Sequence, residues 1–270
     1  MRLWTYTVCR KLDDCTYGVS MSTQKIPPGT KRRRPRSTPP AAPAQPVRSM
    51  KAAASAREPL SRQAVVDAAI ALADEAGMEA LSMRQLAQRL GVEAMSLYNH
   101  VPSKDALIDA MVDDVAGRIA VPRLGKPWRR EMERRARSAY GLLLQHPWAP
   151  LPLISRMNIG PGMLRYADAT HGCLLAAGFD HALADHAHHV MDSHIYGFTL
   201  QELHFPLDRR EYASAAKSFL PMLPRERYPH MHALACEVIE GRYNGINRFD
   251  FGLKLVLDGL ERLLVGPPAG

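Results

Sequence analysis

The chain has only four cysteines in 270 residues, Cys9, Cys15, Cys173 and Cys236, and no two fall at a metal-ligand spacing. That excludes a disulfide framework and a thiolate metal site, and points to a reducing compartment. No uncharged run approaches the length of a membrane span. The start, MRLWTYTVCRKLDD, has no continuous apolar stretch of the kind a secretory leader needs. No segment of useful length alternates with period two, so strands are not expected. A nucleophile motif, a phosphate loop and a defined pair of carboxylates are also missing, so nothing indicates an enzyme. The expectation is a cytoplasmic protein without membrane contact and without a cofactor.

What is present divides unevenly. The formal net charge is +8, but residues 1–60 hold 12 Lys and Arg against 3 Asp and Glu, and the other 210 residues hold 23 against 24. The basic surplus belongs to the N-terminal segment, not to the body. Residues 1–58 carry KRRRPR, an Ala-rich run and seven prolines between 27 and 46, with almost nothing to bury, and are expected to be a disordered basic tail. Two uses stand side by side. One is an arm that adds salt-sensitive, sequence-independent affinity for DNA. The other is a solvated leader, part of which reflects the choice of start, since Met21 and Met50 are alternatives.

From Ser61 the pattern turns helical and stays so. In SRQAVVDAAIALADEAG, Val65, Ala69, Leu72 and Ala76 follow one helical stripe between a Ser N-cap and a Gly stop. Further helices are expected near 104–119, 128–145, 160–177, 180–203, 209–220, 229–241 and 245–264, with Pro and Gly at most joins. The fold class is all-α. A three-helix DNA-binding unit is expected over 59–120, followed by a larger helical effector-binding and dimerisation domain over 121–265.

The most informative stretch is SMRQLAQRLGVEAMSLYNHVPSKDAL, residues 82–107. Ser82 and Gln85 form a capping box, and Leu81 and Leu86 a hydrophobic staple. Gly91 ends that helix, a short one follows from about Glu93 to His100, and Ser103 caps the next. Helix, Gly-containing turn and short helix make a helix-turn-helix arrangement. The short helix needs one apolar stripe, Val92, Leu97 and Val101. Its other face carries Ala94, Met95, Ser96, Tyr98, Asn99 and His100, groups suited to base edges, thymine methyls and phosphates. Arg84 and Lys104 add charge at helix N-termini that already favour phosphate. Position by position, each is equally explained as a solvated face of a three-helix bundle.

The run from Leu60 to Leu107 resembles the DNA-binding domain of the tetracycline-repressor (TetR) family, chiefly in LSMRQLAQRLGV and SLYNHVPSKDAL. The resemblance implies contacts to phosphate or bases from Arg84, Ser96, Tyr98, His100 and Lys104. Met95 and Asn99 fall where such proteins vary with their operators. QHPWAPLPL, LLAAGFD, RERYPHMHALA and FDFGLKLVLDGLERLL resemble, in order, the C-terminal domain of the tetracycline-repressor branch. That implies a homodimer paired through the helices near 180–203 and 245–264. The stripe Phe249, Leu253, Val256, Leu257, Leu260 and Leu264 is wider than an internal core needs.

A small-molecule pocket is implied by the resemblance as well. Tyr140, Trp148, Met163, Tyr166, Thr170, Met191, His194 and Phe198 are the candidate lining, each equally serviceable as plain core, and suggest a hydrophobic effector. HALADHAHHVMDSH places Asp185 with His189 and His188 with Asp192 four residues apart, but no third ligand is identifiable, so no metal is expected. RLGKPWRREMERRAR, with seven basic and two acidic residues, is expected to form a solvated helix face. The functional expectation is a ligand-responsive repressor that binds a palindromic double-stranded operator as a homodimer. The alternative is a helical small-molecule or metal-binding protein with a vestigial DNA-binding unit.

Overall fold

A computed structural model describes residues 60–207, 209–244 and 247–265. The basic tail expected over 1–58 lies outside the described residues. Among the described residues are eleven α-helices and no strand: α1 (Arg62–Ala76), α2 (Met83–Leu90), α3 (Ala94–Leu97), α4 (Lys104–Arg118), α5 (Trp128–Gln145), α6 (Pro150–Ser155), α7 (Pro161–Ala176), α8 (His181–His204), α9 (Tyr212–Phe219), α10 (Pro229–Ile239) and α11 (Phe249–Val265). The all-α expectation is met.

Three elements depart from the sequence reading. The helix expected over 93–100 is helical only over Ala94–Leu97. Beyond it the His100 and Val101 amides both return to the Leu97 carbonyl, which closes the chain in turns before Pro102. The short α6 was not anticipated, because PLPLIS reads as a proline-broken loop. Its prolines sit in the first turn, where a helix has no use for their missing N–H. In α1 the buried stripe is Val65, Val66, Ala69, Ile70 and Ala73, while Ala76 is exposed.

The segment 123–137 is corrected more sharply. It is not a solvated face throughout, because Glu131 and Arg135 are buried on the side of α5 that also buries Met132, Ala136 and Ala139. Glu131 accepts from the Arg123 backbone amide at 3.0 Å, the Arg123 guanidinium at 2.7 Å and the Arg134 guanidinium at 2.8 Å. Arg134 also donates to the Val121 carbonyl, so one carboxylate gathers the approach to α5 onto the helix. The Arg123 hydrogen bond, opposed by burial and helped by Arg134, holds the Glu131 carboxyl down at about 2. A depressed carboxylate contributes its stability above the ordinary pKa, here 4.5, and loses it as pH falls towards 2. Glu131→Gln should therefore unfold more easily at pH 7 by roughly 1.5–3 kcal/mol, the usual contribution of charged hydrogen bonds. In acid titrations followed by circular dichroism, the gap between variant and parent should close between pH 4.5 and 2. A constant gap would show that the charge is not what matters.

The α4–α7 crossing fixes how the two halves of the chain meet. A Cβ added to Gly162 would lie 2.3 Å from the Asp113 carbonyl oxygen and 3.1 Å from the Gly117 Cα, so only glycine permits this approach. The Asp113 carboxylate accepts from the Met163 amide at 2.9 Å, and Arg165 donates to the Gly117 carbonyl. The first turn of α7 has no side-chain cap from its own N-cap residue, Gly160, and is capped instead from α4.

The apolar residues of α11 also sort differently from expectation. Phe249, Leu253, Leu257 and Leu260 are buried within the chain, and Val256 and Leu264 pack beside them. A second ridge, Phe251, Leu255 and Leu263, stays more than half exposed.

Candidate nucleic-acid interface and effector core

The short α3 is held by what surrounds it. Ser82 caps α2 by accepting from the Gln85 amide at 3.2 Å, and its hydroxyl donates to the Gln85 side chain at 2.9 Å. The reciprocal half of the expected box is thus made to the Ser82 hydroxyl and not to its amide. Gly91 ends α2 in the left-handed region at φ 66°, where a side chain would be strained. Arg89 forks onto Glu75 with two 2.6 Å bonds and ties α2 to α1. Ser103 caps α4 by accepting from the Ala106 amide at 3.0 Å. Leu97 and Val101 are buried, as their spacing required.

That anchoring turns the other side of α3 outward. Met95 is 73% exposed and Tyr98 42% exposed, and Asn99 is exposed beside them. Ser96 and His100 are half-buried, and the Ser96 hydroxyl donates to the Glu93 carbonyl at 2.6 Å, which leaves it an acceptor. Arg84 and Lys104 are exposed in the first turns of α2 and α4. One small element thus presents adaptable, polar and aromatic groups between two capped helix N-termini, an arrangement suited to a polyanion with a groove.

The candidate pocket residues separate into three sets. Tyr140, His194 and Phe198 join Phe249 in an aromatic cluster: the Tyr140 and Phe249 rings stack at 4.2 Å, and His194 Nε2 lies 2.9 Å from the Phe249 carbonyl oxygen. A Cβ on Gly252 would fall 2.4 Å from the His194 ring, so α11 approaches α8 closely here. Trp148 belongs elsewhere. Its indole donates to Asp74 of α1 at 2.7 Å, and His146 Nδ1 lies 2.9 Å from the same carboxylate oxygen. The end of α5 is thereby tied to the helix that supports the reader.

The third set surrounds Arg135, which sequence reasoning missed. Tyr166, Thr170 and Met191 are fully buried among α5, α7 and α8. The Arg135 side chain is 0% exposed, lies 4.6 Å over the Tyr166 ring and pairs with Asp192. Asp192 also accepts from Tyr166 and Tyr196, each at 3.2 Å, and His188 Nε2 lies 3.2 Å from it. Burial alone would raise the Asp192 carboxyl, but the Arg135 charge and the His188 bond outweigh it and hold it well below its ordinary value. Burial pushes the His188 imidazole down, with Asp192 opposing, and raises both tyrosine hydroxyls. The register could have revealed Arg135, since it lies three residues after Met132 and four before Ala139 on the inward face.

The histidine-rich helix forms its two expected pairs, His188 with Asp192 and His189 with Asp185 at 3.5 Å. Among the described residues, no three His, Cys, Asp or Glu side chains converge as metal ligands. No helix there is long and apolar enough to cross a membrane.

Comparison with known proteins places this architecture. The family described as "Bacterial regulatory proteins, tetR family" matches residues 65–111, and "Tetracyclin repressor-like, C-terminal domain" matches residues 121–264. The chain is 32% identical over 215 residues to the HTH-type transcriptional repressor DrrR1 of Streptomyces coeruleorubidus, covering 76% of this chain and 78% of that protein. It is 29% identical over 212 residues to the class D tetracycline repressor protein of Escherichia coli, covering 77% and 88%. The crystal structure of the Streptomyces coelicolor TetR family protein ActR in complex with actinorhodin superposes with a TM-score of 0.63, at 27% identity over 75% of this chain and 97% of ActR. With a family match spanning its helical body and a second over its helix-turn-helix, the chain belongs to the TetR family of bacterial transcriptional regulators and is not an enzyme.

Proposed function

We propose that this protein is a ligand-responsive repressor that binds a palindromic operator as a homodimer and leaves it when a small hydrophobic effector binds. The observation that carries the reading is the outward set Met95, Tyr98 and Asn99 on a helix pinned by Leu97 and Val101. Residues 59–120 form the DNA-binding unit in this reading. Ser96, Tyr98, Asn99, His100 and Met95 face the major groove, and Arg84 and Lys104 grip phosphates.

Residues 121–265 hold the effector and join the two copies. Support for dimerisation comes from the exposed ridge Phe251, Leu255 and Leu263 on α11, and from α9 and α10, which leave Phe219, Met231 and Leu234 about half exposed. The likeness to ActR, whose structure holds actinorhodin, supports a small-molecule occupant among the helices. A coupling of ~1–3 kcal/mol between effector and operator would weaken DNA binding several-fold to about a hundredfold. The site of action is the cytoplasm, on the nucleoid.

Footprinting with the purified protein tests this. Protection should cover a palindrome near the protein's own gene, with half-site centres one helical turn or a multiple apart. Protection of a single half-site, or none at any palindrome there, would sink the proposal.

A further inference from the structure

We infer that Arg135 is the polar recognition point for the effector, and that the group it takes is the neutral carbonyl oxygen of an aromatic compound. The inference rests on the effector-responsive reading above and names the ligand class for it.

The argument is a count of donors and acceptors. Asp192 has about four lone-pair positions. Arg135, Tyr166, Tyr196 and His188 occupy four. The carboxylate is therefore saturated. Arg135 still carries an Nε–H and an Nη1 amino group, both buried and without a hydrogen-bond partner among the described residues. A buried charged donor left unmade is costly, and nothing in the cluster has an oxygen to spare for it. Both tyrosine hydroxyls spend their single proton on Asp192. The site has surplus donors, so it calls for an acceptor.

Charge decides which acceptor. Arg135 and Asp192 already cancel, and burial keeps His188 on the neutral side. A carboxylate or phosphate would bring a net negative charge into a place with no water to solvate it. A ketone or quinone oxygen accepts the same hydrogen bonds without that cost. The walls favour an aromatic body. Tyr166 lies beneath the guanidinium, the His188 ring is 5.8 Å from Tyr166, and the His171 ring is 5.1 Å from His188.

The test uses three matched probes on the full chain: 9-fluorenone, fluorene (carbonyl removed) and 9-fluorenone-4-carboxylate (charge added). Calorimetry and thermal-shift measurements should show the ketone binding about tenfold or more tighter than either comparator, as expected for charge-assisted hydrogen bonds. Arg135→Met alone strands a buried carboxylate, so the working variant is Arg135→Met with Asp192→Leu, its fold checked by circular dichroism. In that variant ketone and hydrocarbon should bind equally. Equal binding of the two in the parent, preference for the acid, or no binding by any probe overturns the inference. Operator release is scored separately. Ketone binding without release would leave Arg135 as the recognition point and refute the effector-responsive reading, whereas release by fluorene alone would do the reverse.

Discussion

The double variant Tyr98→Ala, Lys104→Ala is expected to lose about tenfold to a hundredfold or more of operator affinity while folding normally. Both side chains are exposed, and neither supports the core beneath α3. Lys104 opens α4, where a capped N-terminus already presents amides to a phosphate, so its loss removes one counterion-releasing contact. The slope of log affinity against log salt should fall by about one. Surface changes of this type leave stability within about 0.5 kcal/mol. Fluorescence anisotropy over a salt series, with thermal unfolding as control, separates the outcomes. Unchanged affinity would remove α3 and the start of α4 from the interface.

The second large effect is on stability. Asp192→Ala should destabilise the protein by about 3–5 kcal/mol, because it leaves Arg135 buried with no counter-charge. The pair Arg135→Met, Asp192→Leu should recover most of that loss, since two apolar residues of similar volume need no partner. Chemical denaturation of parent, single and double variants supplies the comparison. A single variant costing less than about 1 kcal/mol would mean that water reaches the guanidinium.

These two predictions differ in how far the sequence foretold them. The reader was legible because its signals are local. Ser82, Gly91, Ser103 and Pro102 fix where three short helices begin and end, and alternating burial across Val92, Leu97 and Val101 follows from a single turn geometry. The length of α3 was overestimated because hydrogen bonds from His100 and Val101 to one carbonyl, and not composition, decide where it stops. The effector core was far less legible. Arg135 stands among six other basic residues, and only the partners brought by α7 and α8, 31 to 61 positions away, make its burial tolerable. Tyr140, Trp148 and Tyr166 look alike as aromatic lining candidates, yet they serve an interhelix stack, a tie to α1 and a charged cluster. The α11 stripe was read correctly as apolar. Its split into an internal row and an external ridge depends on where α8 lies.

The cap that α4 lends to α7 bears on modularity. Regulators with a reader and a sensor invite chimeras, in which one protein's reader is grafted onto another's sensor. Here the first turn of α7 takes its N-terminal stabilisation from Asp113, and Gly117 and Gly162 leave no room for a foreign side chain between the helices. A graft that keeps this sensor must therefore keep α4 with it, and the permissible seam lies upstream of Lys104. The reader, as an exchangeable part, is only α1 to α3, and the helix that completes its bundle belongs mechanically to the sensor.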